Sequence, residues 1–132
     1  MTDDEKYELA SHFIHGLLDR DWARMRSALA EGAPWSLPGE TAVSGVAEGA
    51  DAVIERGQAI VSGGVSIELV HILLGRDNAA VMLHNTGRRG DAVLDEHLTT
   101  VFTLDDGHIV ALETLISDVP GLNAFFAASP AS

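Results

Sequence analysis

The sequence predicts an α+β domain in which helices cover one face of a curved antiparallel sheet. Apolar residues recur at helical spacing in the first half of the chain, up to the glycine pair Gly63–Gly64. After Gly64 the pattern changes to β-branched residues at alternating positions. Turn signals then separate four strand-like runs in the order expected of a meander. Helices first and a meander second predict one α+β domain over residues 1–132.

The first predicted helix starts at Thr2, because Asp3 and Asp4 follow it and favour the positive end of a helix dipole. It ends near Leu18, and its apolar stripe is the set Leu9, Ala10, Phe13, Ile14 and Leu17.

Two more helices are predicted before the strands. Asp21 caps a short helix that runs to about Leu29, and Gly32 stops it. A third helix covers about 50–61 and ends at the Ser-Gly-Gly sequence 62–64.

The stretch A-P-W-S-L-P-G-E-T-A-V-S-G, residues 33–45, lies between the second and third helices. Proline fixes φ and removes a backbone donor, so this stretch is predicted to be irregular, neither helix nor central strand. It nevertheless holds Trp35, one of two tryptophans.

The predicted strands cover about 65–74, 79–86, 92–104 and 109–117, with turns at 76–78, 87–91 and 105–107. Pro120 and Gly121 end the last strand, and residues 122–126 are predicted to form a short final helix.

Composition limits the classes of partner. The net charge of −12 argues against nucleic acid or an anionic membrane surface, and the absence of cysteine excludes thiolate chemistry and disulfides. The acidic start M-T-D-D-E-K-Y-E has no apolar signal region, so we expect a cytoplasmic protein.

Four stretches together resemble the nuclear transport factor two-like superfamily, in its SnoaL-like and ketosteroid isomerase-like branch. They are F-I-H-G-L-L-D-R-D-W (13–22), W-S-L-P-G-E-T-A-V-S-G (35–45), G-A-D-A-V-I (49–54) and G-H-I-V-A-L-E-T-L-I-S-D (107–118). The resemblance implies a cystatin-like, cone-shaped barrel in which the sheet wraps around the N-terminal helices. It also implies that segment 33–45 crosses the mouth of the cone, so that Trp35 and Leu37 line a pocket. The alternative is that Trp35 only plugs the core.

The resemblance does not supply a catalytic set. The ketosteroid isomerase pattern places Phe13, Leu37 and Thr99 where that family has its Tyr, its Asp base and its protonated Asp. An epoxide hydrolase needs an inward Arg, and a scytalone dehydratase needs pocket tyrosines. Neither is predicted here, so those activities are disfavoured.

The alternation of side chains between the two faces of a strand predicts which residues line the pocket. If Thr99 points inward, then Asp95 and His97 share its face. The predicted substrate-binding residues are Phe13, Trp35, Leu37, Leu83, Asn85, Thr99, Leu112, Thr114 and Ile116.

The catalytic hypothesis is that His97 acts as a base, held by Asp118 or Asp95. The alternative is a hydrogen-bonded strand histidine beside an Asp118 that caps the final helix. No cofactor is expected, and no metal either, because spacing gives His12 and His15 no third ligand.

These residues predict a cofactor-independent cyclase or isomerase that transfers a proton on a small hydrophobic carbonyl compound. The alternative is a non-catalytic ligand-binding or dimerisation module. A homodimer through the outer sheet face is also expected, because that face is predicted to expose the apolar set Val70, Ile72, Leu74, Met82, Leu98, Phe102 and Leu115.

Overall fold

Helices lead and long strands follow, as the sequence predicts. A computed structural model describes residues 1–128, and the last four residues of the predicted domain lie outside that range. The helices are α1 (Asp3–Leu18), α2 (Trp22–Ser27), α3 (Ala50–Ser62) and α4 (Val119–Ala127). The strands are β1 (Pro34–Leu37), β2 (Gly45–Glu48), β3 (Val65–Leu74), β4 (Asn78–Arg89), β5 (Ala92–Asp105) and β6 (His108–Ile116).

The strands form one curved, unclosed sheet in the order β2-β1-β6-β5-β4-β3. All neighbours are antiparallel except β1 and β6, which are parallel. The four long strands are the predicted meander, and the α+β class is confirmed. The sheet does not close into a barrel, so its concave face is left for the helices to cover.

Helix α1 starts with a capping box. The Thr2 hydroxyl accepts from the Glu5 backbone N–H, and the Glu5 carboxylate accepts from the Thr2 N–H. One side of the helix is then buried along the predicted stripe, mainly Ala10, Phe13, Ile14 and Leu17. The cap and the stripe together fix where α1 begins and which face it turns to the sheet.

The prediction that residues 33–45 are wholly irregular is wrong at one end. Pro34–Leu37 forms β1, which pairs with β2 on one side and with β6 on the other. Pro34 is tolerated because it is the first residue of the strand, where a missing N–H costs least. Alternation along β1 buries Trp35 and Leu37, so the strand turns these two side chains toward the core.

Arg56 of α3 holds this crossing segment in place. It is buried, and its guanidinium donates to the carbonyl oxygens of Trp35 at 2.5 Å, Ser44 at 3.2 Å and Gly45 at 3.1 Å. It also lies 5.2 Å from the centre of the Trp35 ring. Burial lowers the pKa of Arg56. These contacts join α3 to both ends of the crossing segment.

The inward register predicted for β5 is wrong by one residue. The buried positions are even-numbered, and they are Leu94, Glu96, Thr100, Phe102 and Leu104. Three of these five side chains are large and apolar, and burying Phe102 alone outweighs any gain from turning His97 or Thr99 inward. Asp95, His97 and Thr99 consequently lie on the outer face.

The same shift changes the predicted outer apolar face. Phe102 is fully buried, and Leu98 packs against the core instead of facing outward. Ile72 also packs against the core, because the β3–β4 register shifts by one residue between Leu69 and His71. Val70, Leu74, Met82 and Leu115 remain exposed as predicted.

Candidate functional site

A cavity lies between the concave face of the sheet and the helices. It is narrow, with a volume of about 40 Å³, and it is partly open to solvent. Its walls are mainly apolar and come from the following residues: Phe13, Ile14, Leu17, Trp35, Leu37, Val43, Ile60, Val65, Ile67, Val81, Leu83, Leu94, Leu98, Ile116, Leu122 and Phe126. Such a volume holds only a few water molecules, so a larger guest would require the lining side chains to move apart.

Three polar side chains complete the lining of the cavity, namely Asn85, Glu96 and Thr100. Asn85 and Glu96 are directly opposite each other on β4 and β5, so their side chains share one face as a cross-strand pair. Both are buried, with Glu96 only 2% exposed. Among residues 1–128, Glu96 is the one titratable group in this lining.

The Asn85–Glu96 pair has unused hydrogen-bonding capacity. Within residues 1–128, neither Asn85 Oδ1 nor Glu96 Oε1 has a hydrogen-bond partner. Buried polar atoms of folded proteins are usually paired, so two orphaned oxygens on one cavity wall point to a missing partner, such as a ligand or water. Burial first, and the negative charge of Asp118 second, raise the pKa of Glu96 to about 7.

Trp35, on strand β1 of the same sheet, also lines the cavity. Its indole N–H donates to Thr114 Oγ1 at 2.8 Å, and the hydroxyls of Thr114 and Thr100 lie 2.8 Å apart. Phe13 meets the ring edge-on at 6.1 Å between centroids. The ring is therefore held at both its polar and its apolar edges, and Trp35 is a rigid part of the cavity.

Six of the nine residues predicted to bind a substrate line this cavity. They are Phe13, Trp35, Leu37, Leu83, Asn85 and Ile116. Leu112 and Thr114 are buried outside the lining, Thr114 as the hydrogen-bond acceptor of Trp35. Thr99 is on the outer face of β5. Contact between these side chains and a ligand remains a prediction.

The predicted pairing of His97 with Asp118 is not formed. The His97 backbone N–H donates to Ser117 Oγ at 2.9 Å, and its ring stacks on the His84 ring with centroids 4.5 Å apart. The Asp118 carboxylate accepts the Gly121 N–H at 2.9 Å and caps α4. His97 and Asp95 therefore lie on the opposite face of β5 from the cavity.

Sequence reasoning missed Glu96, although a signal for it was present. The residues at 94, 98, 102 and 104 are Leu, Leu, Phe and Leu, so the even-numbered face of β5 is the more apolar one. Following that alternation through position 96 would have placed a carboxylate inside. The family resemblance aligned Thr99 with an inward-facing catalytic residue, and this favoured the odd-numbered register instead.

The helices and the curved, unclosed sheet define an α+β fold of the cystatin-like and nuclear transport factor two-like kind. The SnoaL-like domain family has a sequence model that matches residues 10–112 of this chain. The chain belongs to the SnoaL-like domain family. No curated protein matches the sequence.

Solved structures share the fold at low sequence identity. Bal32a, from a soil-derived mobile gene cassette, superposes with a TM-score of 0.86 at 20% identity, over 93% of this chain and 97% of its own. A protein from Jannaschia sp. CCS1, provisionally named a SnoaL-like polyketide cyclase, gives 0.73 at 18% identity, over 96% and 94%. One from Kribbella flavida DSM 17836, provisionally named a ketosteroid isomerase, gives 0.71 at 20%, over 87% and 79%. At such identities the likeness establishes the fold.

Within residues 1–128, no helix is long and apolar enough to cross a membrane.

Proposed function

We propose that this protein is a cofactor-independent isomerase or cyclase that transfers a proton on a small, uncharged, mainly apolar carbonyl compound. The transferring group is Glu96, which replaces His97 in the role expected from the sequence. The observation that carries the proposal is the placement of the Glu96 carboxyl, buried in the wall of an apolar cavity with one oxygen unpaired. The provisional names of the Jannaschia and Kribbella proteins support the same reaction class.

The apolar and the polar residues of the lining have different roles in this proposal. The apolar body of the ligand packs against Phe13, Trp35 and Leu37, while its oxygen-bearing end meets the Asn85–Glu96 pair. In an unsaturated ketone, Glu96 removes a proton from the carbon that lies between the carbonyl and a carbon–carbon double bond. The double bond shifts toward the carbonyl, and Glu96 returns the proton to the far carbon of the original double bond, so no proton is gained or lost overall. The Asn85 amide hydrogen-bonds the carbonyl oxygen as negative charge develops there.

An apolar environment favours this chemistry in two ways. It keeps the carboxylate poorly solvated and hence more basic than in water, and it strengthens each hydrogen bond to the developing enolate oxygen. It also selects the ligand, because burying a charged molecule without a compensating partner would be costly. The substrate is therefore uncharged.

A fluorescence experiment tests the binding part of the proposal. In a Trp22→Phe background, Trp35 is the sole tryptophan, so its emission reports on the cavity. Uncharged ketones that raise the melting temperature should change that emission and be turned over by the Trp22→Phe protein. The same background with Glu96→Gln should keep the emission change and lose the turnover. A stabilising ketone that leaves Trp35 emission unchanged would contradict the placement of the site.

A non-catalytic ligand-binding module is the second candidate. The observation that favours it is that no second acid or base among residues 1–128 lines the cavity beside Glu96. In that case ligands would stabilise the protein and its Glu96→Gln variant alike, and neither would turn them over.

A further inference from the structure

A cluster of metal-ligating side chains lies on the outer face of the sheet, away from the cavity. His84 of β4 and the two β5 residues Asp95 and His97 each present a ligand atom, and these atoms all lie within 4.8 Å of one another. None of the three lines the cavity. The cluster is therefore separate from the site proposed above.

Strand pairing holds the cluster together. His84 and His97 are direct cross-strand partners, and their rings stack with an interplanar angle of 12°. Asp95 comes two residues before His97 on the same face, and its Oδ1 lies 2.6 Å from His84 Nε2. All three side chains thus come from two hydrogen-bonded strands and none comes from a loop. Little ordering of the backbone is therefore needed to bring the ligands together.

We infer that His84, Asp95 and His97 form a binding site for a divalent transition-metal ion of the Zn²⁺ type. Two imidazoles and one carboxylate are the donors that such ions prefer, whereas Mg²⁺ and Ca²⁺ prefer oxygen alone. Tetrahedral metal–ligand bonds of about 2.0–2.2 Å place the donor atoms about 3.3–3.6 Å from one another. The His84 Nε2–Asp95 Oδ1 distance of 2.6 Å must therefore lengthen, while the wider separations in the cluster shorten. His84 is only partly exposed, while Asp95 and His97 are exposed, so rotation of the latter two side chains can make both adjustments.

The surroundings suit a cation. Glu68 of β3 is the direct cross-strand partner of His84, so a second carboxylate stands in the same row of the outer face. It is exposed and adds negative charge beside the cluster. The net charge of −12 adds a favourable long-range field. The inference departs from the sequence-based expectation of no metal, which considered only His12 and His15.

Calorimetric titration of the full chain, first stripped with a chelator, tests the site. We expect Zn²⁺ to bind one per chain at micromolar concentration or tighter, and Mg²⁺ and Ca²⁺ to give no heat. His84→Ala and His97→Ala should each weaken Zn²⁺ binding by at least about tenfold. His12→Ala, which removes an exposed helix histidine, should leave it unchanged, and so should Glu113→Gln, which neutralises an exposed carboxylate on β6.

A second readout separates loss of ligand from loss of fold. Co²⁺ should develop visible absorption bands with the intact protein and not with His84→Ala, while thermal melts of the metal-free proteins stay similar. Absence of Zn²⁺ binding, or equal binding by the parent, His84→Ala and His97→Ala, would overturn the inference. Loss of binding in His12→Ala alone would do so as well, because it would place the ion on α1.

Discussion

At the scale of single residues, Glu96 is the most informative side chain in the molecule. An ionised carboxylate without a counter-charge is costly to bury, and a protein keeps one inside only where a proton or a ligand compensates it. Glu96 faces an amide whose oxygen is also unpaired, in a cavity otherwise lined by apolar groups and one threonine. Residues with such shifted acidity concentrate at functional sites.

The difference in stability between the parent protein and the Glu96→Gln variant should depend on pH in a defined direction. The folded-state pKa of about 7 exceeds the reference value of 4.5, so the folded protein holds more protons than the unfolded chain between these values. The parent protein therefore loses the stabilising contribution of protonated Glu96 as pH rises from about 5 to 8, and Glu96→Gln does not.

Urea unfolding at pH 5 and pH 8, with chelator present, measures this effect. The stability of Glu96→Gln relative to the parent should be higher at pH 8 than at pH 5. Glu113→Gln, which removes an exposed carboxylate on β6, provides the matched control and should show no such trend. A parent–variant difference that is the same at both pH values would show that Glu96 titrates as an ordinary solvated acid.

At the scale of secondary-structure elements, sequence pattern predicted most of the fold. The α1 stripe, the third helix and the four long strands all follow from spacing alone, because burial enforces period 3.6 or period 2. The short strand β1 was missed because Pro34 argues against a strand, and only its pairing with β2 and with the distant strand β6 reveals otherwise. Such non-local pairing leaves no local signal.

The candidate site was harder to predict than the elements that carry it. An error of one residue in the register of β5 reverses which side chains face inward. His97 was therefore predicted to face the cavity, whereas in the structure Glu96 does. The residues on β4 and β6 were placed on the correct side, since apolar alternation there is unambiguous. Whether a buried polar atom lacks a hydrogen-bond partner, as Asn85 Oδ1 and Glu96 Oε1 do, depends on the three-dimensional surroundings and cannot be predicted from one sequence.

The packing of α1 against α2 depends on Gly16, and this is open to test. A Cβ built on Gly16 would lie 2.5 Å from the Met25 backbone nitrogen, so the two helices could not keep their approach. Gly16→Ala should therefore lower the free energy of unfolding by about 2 kcal/mol, despite the better helix propensity of alanine. Gly32→Ala is the control, since nothing lies within 4 Å of its Cβ position, and it should change stability by about 0.5 kcal/mol or less. Equal effects of the two substitutions in urea unfolding would contradict this account.

At the scale of the whole molecule, the outer sheet face remains apolar even after the register of β5 is corrected. Val70, Met82 and Leu115 are 42%, 36% and 53% exposed and lie around one shallow depression, with His97 and Thr99 beside them. Soluble monomers tend to keep such patches small. We therefore retain the proposal that two copies pair through this face, now without Phe102, Leu98 and Ile72.

Light scattering coupled to size exclusion measures the assembly directly. At micromolar concentration the mass should be twice the chain mass of 14.0 kDa, and Leu115→Asp should reduce it to that of one chain. Val46→Asp, at an exposed valine on the edge strand β2, should leave the dimer intact. A parent protein that elutes as a monomer would exclude the dimer.

The central claim is that a buried carboxyl moves a proton on a ligand held in the cavity, and isotope exchange tests it most directly. A ketone that stabilises the protein is incubated in heavy water, and deuterium incorporation beside its carbonyl is followed by NMR. The parent protein should accelerate the exchange, and Glu96→Gln should lower the catalysed rate by about 10²-fold or more while still binding the ketone. Glu113→Gln should exchange as fast as the parent. Equal catalysed rates in the parent and in Glu96→Gln would contradict the account.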